Sequence, residues 1–144
     1  MNANKIFLTQ TDTTIGFVSQ NKEKLDIIKQ RPAYKHYIKA VNNLDTLQKL
    51  TRVPNMHKNS VRRANKTTFI MPNGFSYRVI KNTHHLLLLN RLTWAYTTSA
   101  NLSDKAYNEK YARGVADIIV EPLSQTLRAS SIFKLGKNRL RRIR

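Results

Sequence analysis

Thr67-Thr68-Phe69-Ile70-Met71-Pro72-Asn73-Gly74-Phe75-Ser76-Tyr77-Arg78-Val79-Ile80 decides the fold. Residues 67–71 and 75–80 are rich in β-branched and aromatic side chains. They flank an Asn-Gly turn, the strongest short-range signal of a β-hairpin. The next segment breaks the all-β pattern. Residues 83–92, around Leu86-Leu87-Leu88-Leu89, read as a largely buried helix, and 93–98 return as a strand. Antiparallel hairpins interspersed with helix–strand units predict an α/β fold with a mixed sheet.

Toward the N-terminus, Lys5 to Thr9 reads as a strand, and Thr11 to Thr14 as a polar turn closed by Gly16. Phe17-Val18 starts the second strand. Lys22 to Gln30 reads as a helix with Leu25 and Ile28 on one face, capped by Ser19 or Asn21 and ended by Pro32. Arg31, just before that proline, is expected at an exposed helix end. Tyr37 to Val41 is a strand, Leu44, Leu47 and Leu50 mark a short helix, and a shorter helix runs from Asn59 to Asn65. Toward the C-terminus, Asp104 to Ala112 reads as a helix capped by Ser103 or Asp104 and ended by Gly114. Ala116 to Val120 reads as a buried strand. Ser131 to Leu135 and Arg139 to Ile143 read as a closing hairpin around Gly136-Lys137-Asn138. With no repeat, low-complexity linker or compositional break, residues 1–144 are expected to form one domain.

The 144 residues are 40% hydrophobic, enough for a real core and too apolar for a disordered polycation. The absence of cysteine excludes disulfide frameworks, thiolate metal sites and cysteine nucleophiles. No apolar signal stretch follows a basic start, and Leu86 to Leu89 is far too short to span a bilayer; a cytoplasmic protein without a membrane partner is expected. Lys and Arg number 26 against 8 Asp and Glu, a net charge of +18. A polyanionic partner such as nucleic acid or a nucleotide accounts for that charge most simply, a generally basic proteome being the other explanation. No acid lies between Thr46 and Ser103, or after Glu121.

The eight acids are scattered, which disfavours paired-carboxylate chemistry. His36, His57, His84 and His85 show no chelating spacing, so no metal site is expected. With only four glycines, the phosphate-cradling loops Gly-x-x-x-x-Gly-Lys-Ser/Thr and Gly-x-Gly-x-x-Gly are absent. Any nucleotide must therefore be held by cations and hydroxyls. Three segments offer them. Gln10-Thr11-Asp12-Thr13-Thr14-Ile15-Gly16 clusters hydroxyls at a strand end, or is simply a polar turn. Lys29-Gln30-Arg31-Pro32 with Lys35 could grip a triphosphate, or cap a helix C-terminus with cations. Thr97-Thr98-Ser99-Ala100-Asn101-Leu102-Ser103 runs from a strand end, where α/β folds bind ligands, into a polar loop; helix capping by Ser103 explains only part of it.

Taken together and in order, these segments resemble the YrdC/YciO family, the threonylcarbamoyl-AMP synthase family of tRNA modification. Thr11-Asp12-Thr13-Thr14-Ile15-Gly16 matches its first turn, and Lys29-Gln30-Arg31-Pro32 with Lys35 its Lys-x-Arg-Pro-x-x-Lys motif. Thr67-Thr68-Phe69-Ile70, Arg78-Val79-Ile80 and Thr98-Ser99-Ala100-Asn101-Leu102-Ser103 match the next three. Ser130-Ser131-Ile132 and Arg139-Leu140-Arg141 match the last pair. Ile15, Ile80 and Asp104 stand where the family has tyrosine, proline and glycine.

The resemblance implies a single YrdC-like domain, a twisted open mixed sheet flanked by helices with a concave basic surface. It implies synthesis of threonylcarbamoyl-AMP and pyrophosphate from L-threonine, bicarbonate and ATP, with Mg2+ held by ATP. Thr11, Ser99 and Ser130 would bind threonine, and Lys29, Arg31, Arg78, Asn101 and Arg141 the nucleotide. Lys29 and Arg31 would act in catalysis, with Lys29 solvated. Lys35, Arg62, Arg63, Lys66, Arg139 and Arg142 are candidates for binding tRNA or double-stranded RNA. The tRNA threonylcarbamoyl-transfer complex would be a downstream partner. The alternatives are a non-catalytic RNA-binding member of the same fold, or an unrelated small basic nucleic-acid-binding protein. The last would place the Thr11, Lys29 and Ser99 segments far apart.

Overall fold

The computed structural model describes residues 2–123, 130–137 and 139–144. Among them nine strands form one open mixed sheet. The strands are β1 (Phe7–Gln10), β2 (Ile15–Ser19), β3 (Ile38–Val41), β4 (Thr67–Ile70), β5 (Ser76–Val79), β6 (Trp94–Ser99), β7 (Ile118–Ile119), β8 (Ser131–Leu135) and β9 (Leu140–Arg142). Their spatial order is β7-β1-β2-β6-β3-β5-β4-β8-β9. β1–β7, β3–β5 and β4–β8 are parallel, and the other neighbours antiparallel. Both expected hairpins form, β4–β5 and β8–β9; Asn138 of the second turn lies outside the described residues.

Five helices flank the sheet: α1 (Lys22–Lys29), α2 (Leu44–Leu50), α3 (Lys58–Arg63), α4 (Thr83–Leu92) and α5 (Glu109–Val115). α1, α2, α4 and α5 each start on an asparagine, at 21, 43, 82 and 108, whose side chain accepts a first-turn amide hydrogen. The cap of α1 is thus Asn21, and Ser19 supports it by accepting the Asn21 amide hydrogen.

Strand alternation assigns the helices to faces. Leu8, Phe17, Tyr96, Lys39 and Tyr77 share one face. Leu25 of α1 and Ala112 of α5 cover its β1–β2 end, and Leu47 of α2 and Val61 of α3 pack with Val41 and Val79. Val18, Thr97, Ala40, Ala95 and Arg78 share the opposite face, where Leu88, Leu89 and Leu92 of α4 pack on Val18, Ala40 and Ala95. Burying a side chain such as Phe17 or Leu47 contributes about 2–3 kcal/mol.

Two expectations are corrected. The helix placed at 104–112 starts at Glu109 and runs through Gly114. The Asn101 side-chain amide donates to the carbonyls of Leu102 (2.7 Å) and Lys105 (2.8 Å), and Asp104 has φ +62°, so the chain is held in a turn until Asn108 can cap. The strand placed at 116–120 is reduced to β7, an edge strand whose Ile118 and Ile119 are 39% and 36% exposed.

Candidate functional site

The turn between β1 and β2 is knitted by Thr11. Its hydroxyl donates to the Thr14 carbonyl at 2.7 Å and accepts the amide hydrogens of Thr13 (3.3 Å) and Thr14 (3.2 Å). Gly16 then passes beneath it, paired with Ser99 of β6. An ideal Cβ on Gly16 would stand 2.7 Å from the Thr98 carbonyl oxygen and 2.9 Å from the Thr11 methyl, so only glycine lets turn and strand approach this closely.

The turn delivers Asp12 to Arg78 of β5. Arg78 Nη1 lies 2.9 Å from Asp12 Oδ1; Nε and Nη2 donate to Thr68 Oγ1 of β4 at 3.1 and 3.0 Å; Nη2 also donates to Ser130 Oγ at 3.1 Å. All four residues are buried. Arg144 joins them, donating to the Ser130 carbonyl at 2.9 Å and to Ser130 Oγ at 3.2 Å. Asp12 Oδ2 has no hydrogen-bond partner, and neither ring nitrogen of buried His85, on α4, has one. Burial lowers the His85 pKa to about 4, against the opposing pull of the Asp12 charge.

At the adjoining end of β6, Lys29 reaches in from the last turn of α1. Its ammonium donates to the carbonyls of Ser99 (2.8 Å) and Asn101 (2.7 Å), and the Lys29 carbonyl accepts the Ser103 amide hydrogen at 2.9 Å. The Ser99 hydroxyl donates to Asn101 Oδ1. Lys29 is only 2% exposed, which corrects the expectation of a solvated side chain. Burial first, and then the neighbouring Arg31 charge, lower its pKa to about 8. Arg31 is not an exposed helix end either. It is half-buried, its guanidinium carbon 4.6 Å from the Tyr37 ring centroid, and Nη2 donates to the His36 carbonyl at 2.6 Å while Nε has no partner. Lys29, Arg31, Lys35, Ser99 and Asn101, with Thr98, Ser103 and Asp104, line an open hollow of about 170 Å³.

Thus four expected residues, Lys29, Arg31, Ser99 and Asn101, share one hollow, and Arg78 and Ser130 meet in a buried cluster reached by the Thr11 turn. The Thr11, Lys29 and Ser99 segments are neighbours, not far apart as the unrelated-protein alternative expects, although Thr11 does not line the hollow. Arg141 is exposed on β9 opposite Lys134, and Arg144 is the arginine that reaches Ser130. Arg62 and Arg63 are exposed on α3 and Lys66 half-buried before β4; Arg139 and Arg142 are exposed in the β8–β9 hairpin. None of these five lines the hollow that Lys35 lines. Asp12, Thr68 and Arg144 were not singled out as site residues. Thr68 and Asp12 lay inside quoted motifs, whereas nothing in the tail distinguished Arg144 from its neighbouring arginines. Among the described residues no group of three or more His, Asp or Glu is placed to hold a metal ion, and no helix is long and apolar enough to cross a membrane.

Comparison with solved structures decides the fold. P. abyssi Sua5, in complex with L-threonine, superimposes with TM-score 0.82 over 98% of this chain and 50% of its own, at 18% identity. E. coli YciO superimposes with TM-score 0.74 over 98% of this chain and 82% of its own, at 16% identity. The chain has the YrdC/YciO-like fold. No protein-family model matches the sequence. The Mycoplasma genitalium protein MG259 is 38% identical over 98 residues, 68% of this chain but only 21% of that protein. This YrdC-like chain therefore spans about half of Sua5 and matches about a fifth of MG259.

Proposed function

We propose that the chain is an L-threonylcarbamoyladenylate synthase acting in tRNA threonylcarbamoyladenosine modification, and that its charge also binds tRNA or double-stranded RNA. The observation that supports this reading best is the convergence of Lys29, Arg31, Lys35, Ser99 and Asn101 on one hollow, linked through the Gly16–Ser99 pair and the turn carrying Asp12 to the Arg78–Ser130 cluster. The presence of L-threonine in the Sua5 structure, on the same fold, agrees with it.

In this reading the ATP phosphates lie in the hollow, which at about 170 Å³ is too small for the whole nucleotide. Lys29 has three ammonium donors, two of them committed to carbonyls, which leaves one for a phosphate oxygen. Arg31 brings an unpartnered Nε, and Lys35 adds charge at the rim. The lining is cations, hydroxyls and amides with Asp104 as its one carboxylate, so Mg2+ would be carried chiefly by phosphate oxygens. Arg78 and Arg144 flank Ser130 with Asp12 as the single acid, an excess of positive charge suited to the threonine carboxylate. The threonine amine condenses with bicarbonate to a carbamate and water. A carbamate oxygen then attacks the α-phosphorus, the bond to the bridging oxygen breaks, and pyrophosphate leaves. No protein nucleophile is required; rate comes from positioning and from cations facing the developing phosphate charge. Transfer to adenosine would fall to the tRNA threonylcarbamoyl-transfer complex.

A second reading, a non-catalytic RNA-binding protein of the same fold, is favoured by one observation: the Lys29 and Arg78 head groups are already engaged within the protein. Calorimetric titration with ATP separates the two. Saturable binding that weakens at least tenfold in Arg31→Ala supports the synthase. Absent ATP binding, with tRNA retardation that falls steeply with salt, supports the second reading.

A further inference from the structure

A second recess lies on the other face of the sheet from Arg78. Consecutive strand residues point to opposite faces, so Tyr77 turns away from the Arg78 cluster. The register places Tyr77 beside Lys39 and Lys39 beside Tyr96, a row of three across β5, β3 and β6. With Tyr37 as a wall and His36 and Phe75 at the mouth, they line a recess of about 260 Å³ between the helices that cover this face. No carboxylate lines it. The His36 and Phe75 rings meet edge to face, centroids 4.7 Å apart. The Lys39 ammonium lies 4.5 Å from the Trp94 ring centroid and 5.3 Å from that of Tyr96. The tyrosines are held in place: the Tyr37 hydroxyl donates to Asp26 Oδ1 at 2.8 Å, and the Tyr77 hydroxyl accepts from Asn73 Nδ2 at 3.1 Å.

We infer that this recess takes one unpaired nucleotide of an RNA strand, its base among the aromatic rings and its phosphate at Lys39. The volume falls below the range of about 300–1,000 Å³ usual for pockets that enclose a whole small molecule, and suits a single planar ring system. The lining selects the sign of the ligand. His36 and Phe75 present exposed rings at the mouth that accept a flat ring, while buried Tyr37 and Tyr77 form the walls. Of the two lining lysines Lys22 is paired with Asp26 at 2.9 Å and Lys39 has no such acid among the described residues, so on a chain of net charge +18 the recess favours an anionic ligand. A base joined to a phosphate meets both conditions, and rings fixed by hydrogen bonds lose little freedom on stacking. Burial also lowers the Lys39 pKa, a cost that an incoming phosphate offsets. A duplex, its bases paired and stacked, cannot supply the base. The recess borders the Lys29 hollow through Arg31, which lies over the Tyr37 ring and donates to the His36 carbonyl, but the proposal does not require that hollow to be catalytic.

The test is fluorescence anisotropy with a labelled twelve-nucleotide oligoadenylate, a duplex RNA of the same length, and AMP as competitor. Phe75→Ala and Lys39→Gln are the variants; Phe75 is 44% exposed and Gln keeps most of the Lys39 stem, so melting temperatures serve as the folding control. Single-strand affinity should fall about tenfold in each variant while duplex affinity stays within about twofold. Unchanged single-strand affinity in both variants, or equal losses on single strand and duplex, would overturn the proposal. So would AMP displacing the strand at equal nucleotide concentration, which would make the occupant a free nucleotide.

Discussion

Arg78 and Asp12 stand 66 positions apart in sequence and meet in an ion pair of 2.9 Å with both side chains almost wholly buried. The pair ties the β1–β2 turn to β5, and through Thr68 and Ser130 to β4 and the start of β8. Removing one partner strands the other charge away from water. Asp12→Ala should therefore destabilise the fold by roughly 3–5 kcal/mol, and Asp12→Asn by less, because an amide oxygen still accepts from Arg78. Urea unfolding midpoints of the two variants check the order.

Lys29 combines structural and chemical roles. Lys29→Ala leaves the Ser99 and Asn101 carbonyls without their donor, so it should cost about 1–3 kcal/mol of stability as well as ATP binding.

The lowered pKa of Lys29 adds a pH dependence. Below about pH 8 the side chain is charged in the folded protein and attracts phosphate; above it the amine is neutral. ATP affinity should therefore fall as pH rises through about 8, and this step should vanish in Lys29→Met. The ligand-free protein responds oppositely. Between about pH 8 and the ordinary lysine value of 10.5 the unfolded chain holds the proton that the folded chain has lost, so the Lys29 contribution to stability improves with pH. Calorimetric titrations at several pH values, beside unfolding curves, separate the two effects.

His85 produces the complementary behaviour in acid. Its folded pKa of about 4 lies below the ordinary 6.5, so between these values the unfolded state binds the extra proton. Stability should fall as pH drops from about 6.5 to 4, by on the order of 3 kcal/mol from this group. His85→Leu or His85→Gln should flatten that part of the stability–pH profile.

Gly16→Ala should destabilise by about 1–3 kcal/mol, because the added methyl meets the Thr98 carbonyl and the Thr11 methyl at less than van der Waals distance. Thermal unfolding measures the loss, and Thr11→Ser in the same background, by removing one of the two clashing groups, should recover part of it.

Most of the sheet was legible because its hairpins carry local signals. The Asn73-Gly74 turn and the alternation of 131–135 against 139–143 gave strands close to those observed. Helix starts were legible where an asparagine stood before an apolar period, as at Asn43 before Leu44 and Leu47. The start of α5 was misplaced because Ser103 and Asp104 look like caps, whereas the Asn101 side chain, bonding to two backbone carbonyls, prolongs the turn. Residues 116–120 suggested a buried strand, yet among the described residues only β1 pairs with β7, and Ile118 and Ile119 remain partly exposed at the sheet edge. In the site, Lys29 and Arg31 were legible as types but not as environments. Their burial depends on the 98–103 loop and on the Tyr37 ring, contacts that no local pattern encodes. Arg141, expected to bind the nucleotide, is exposed on β9, whereas Arg144, beyond the end of that strand, reaches Ser130, and no local pattern separates the two arginines.

The central claim is that the hollow beside Lys29 and the cluster around Arg78 hold ATP and an amino acid together. The most direct measurement is pyrophosphate release by the purified, folded chain supplied with ATP, Mg2+ and bicarbonate, with and without L-threonine. The account predicts release that requires threonine and is lost in Arg31→Ala. Release that ignores threonine, or none at all from a sample with a cooperative melting transition, would contradict it.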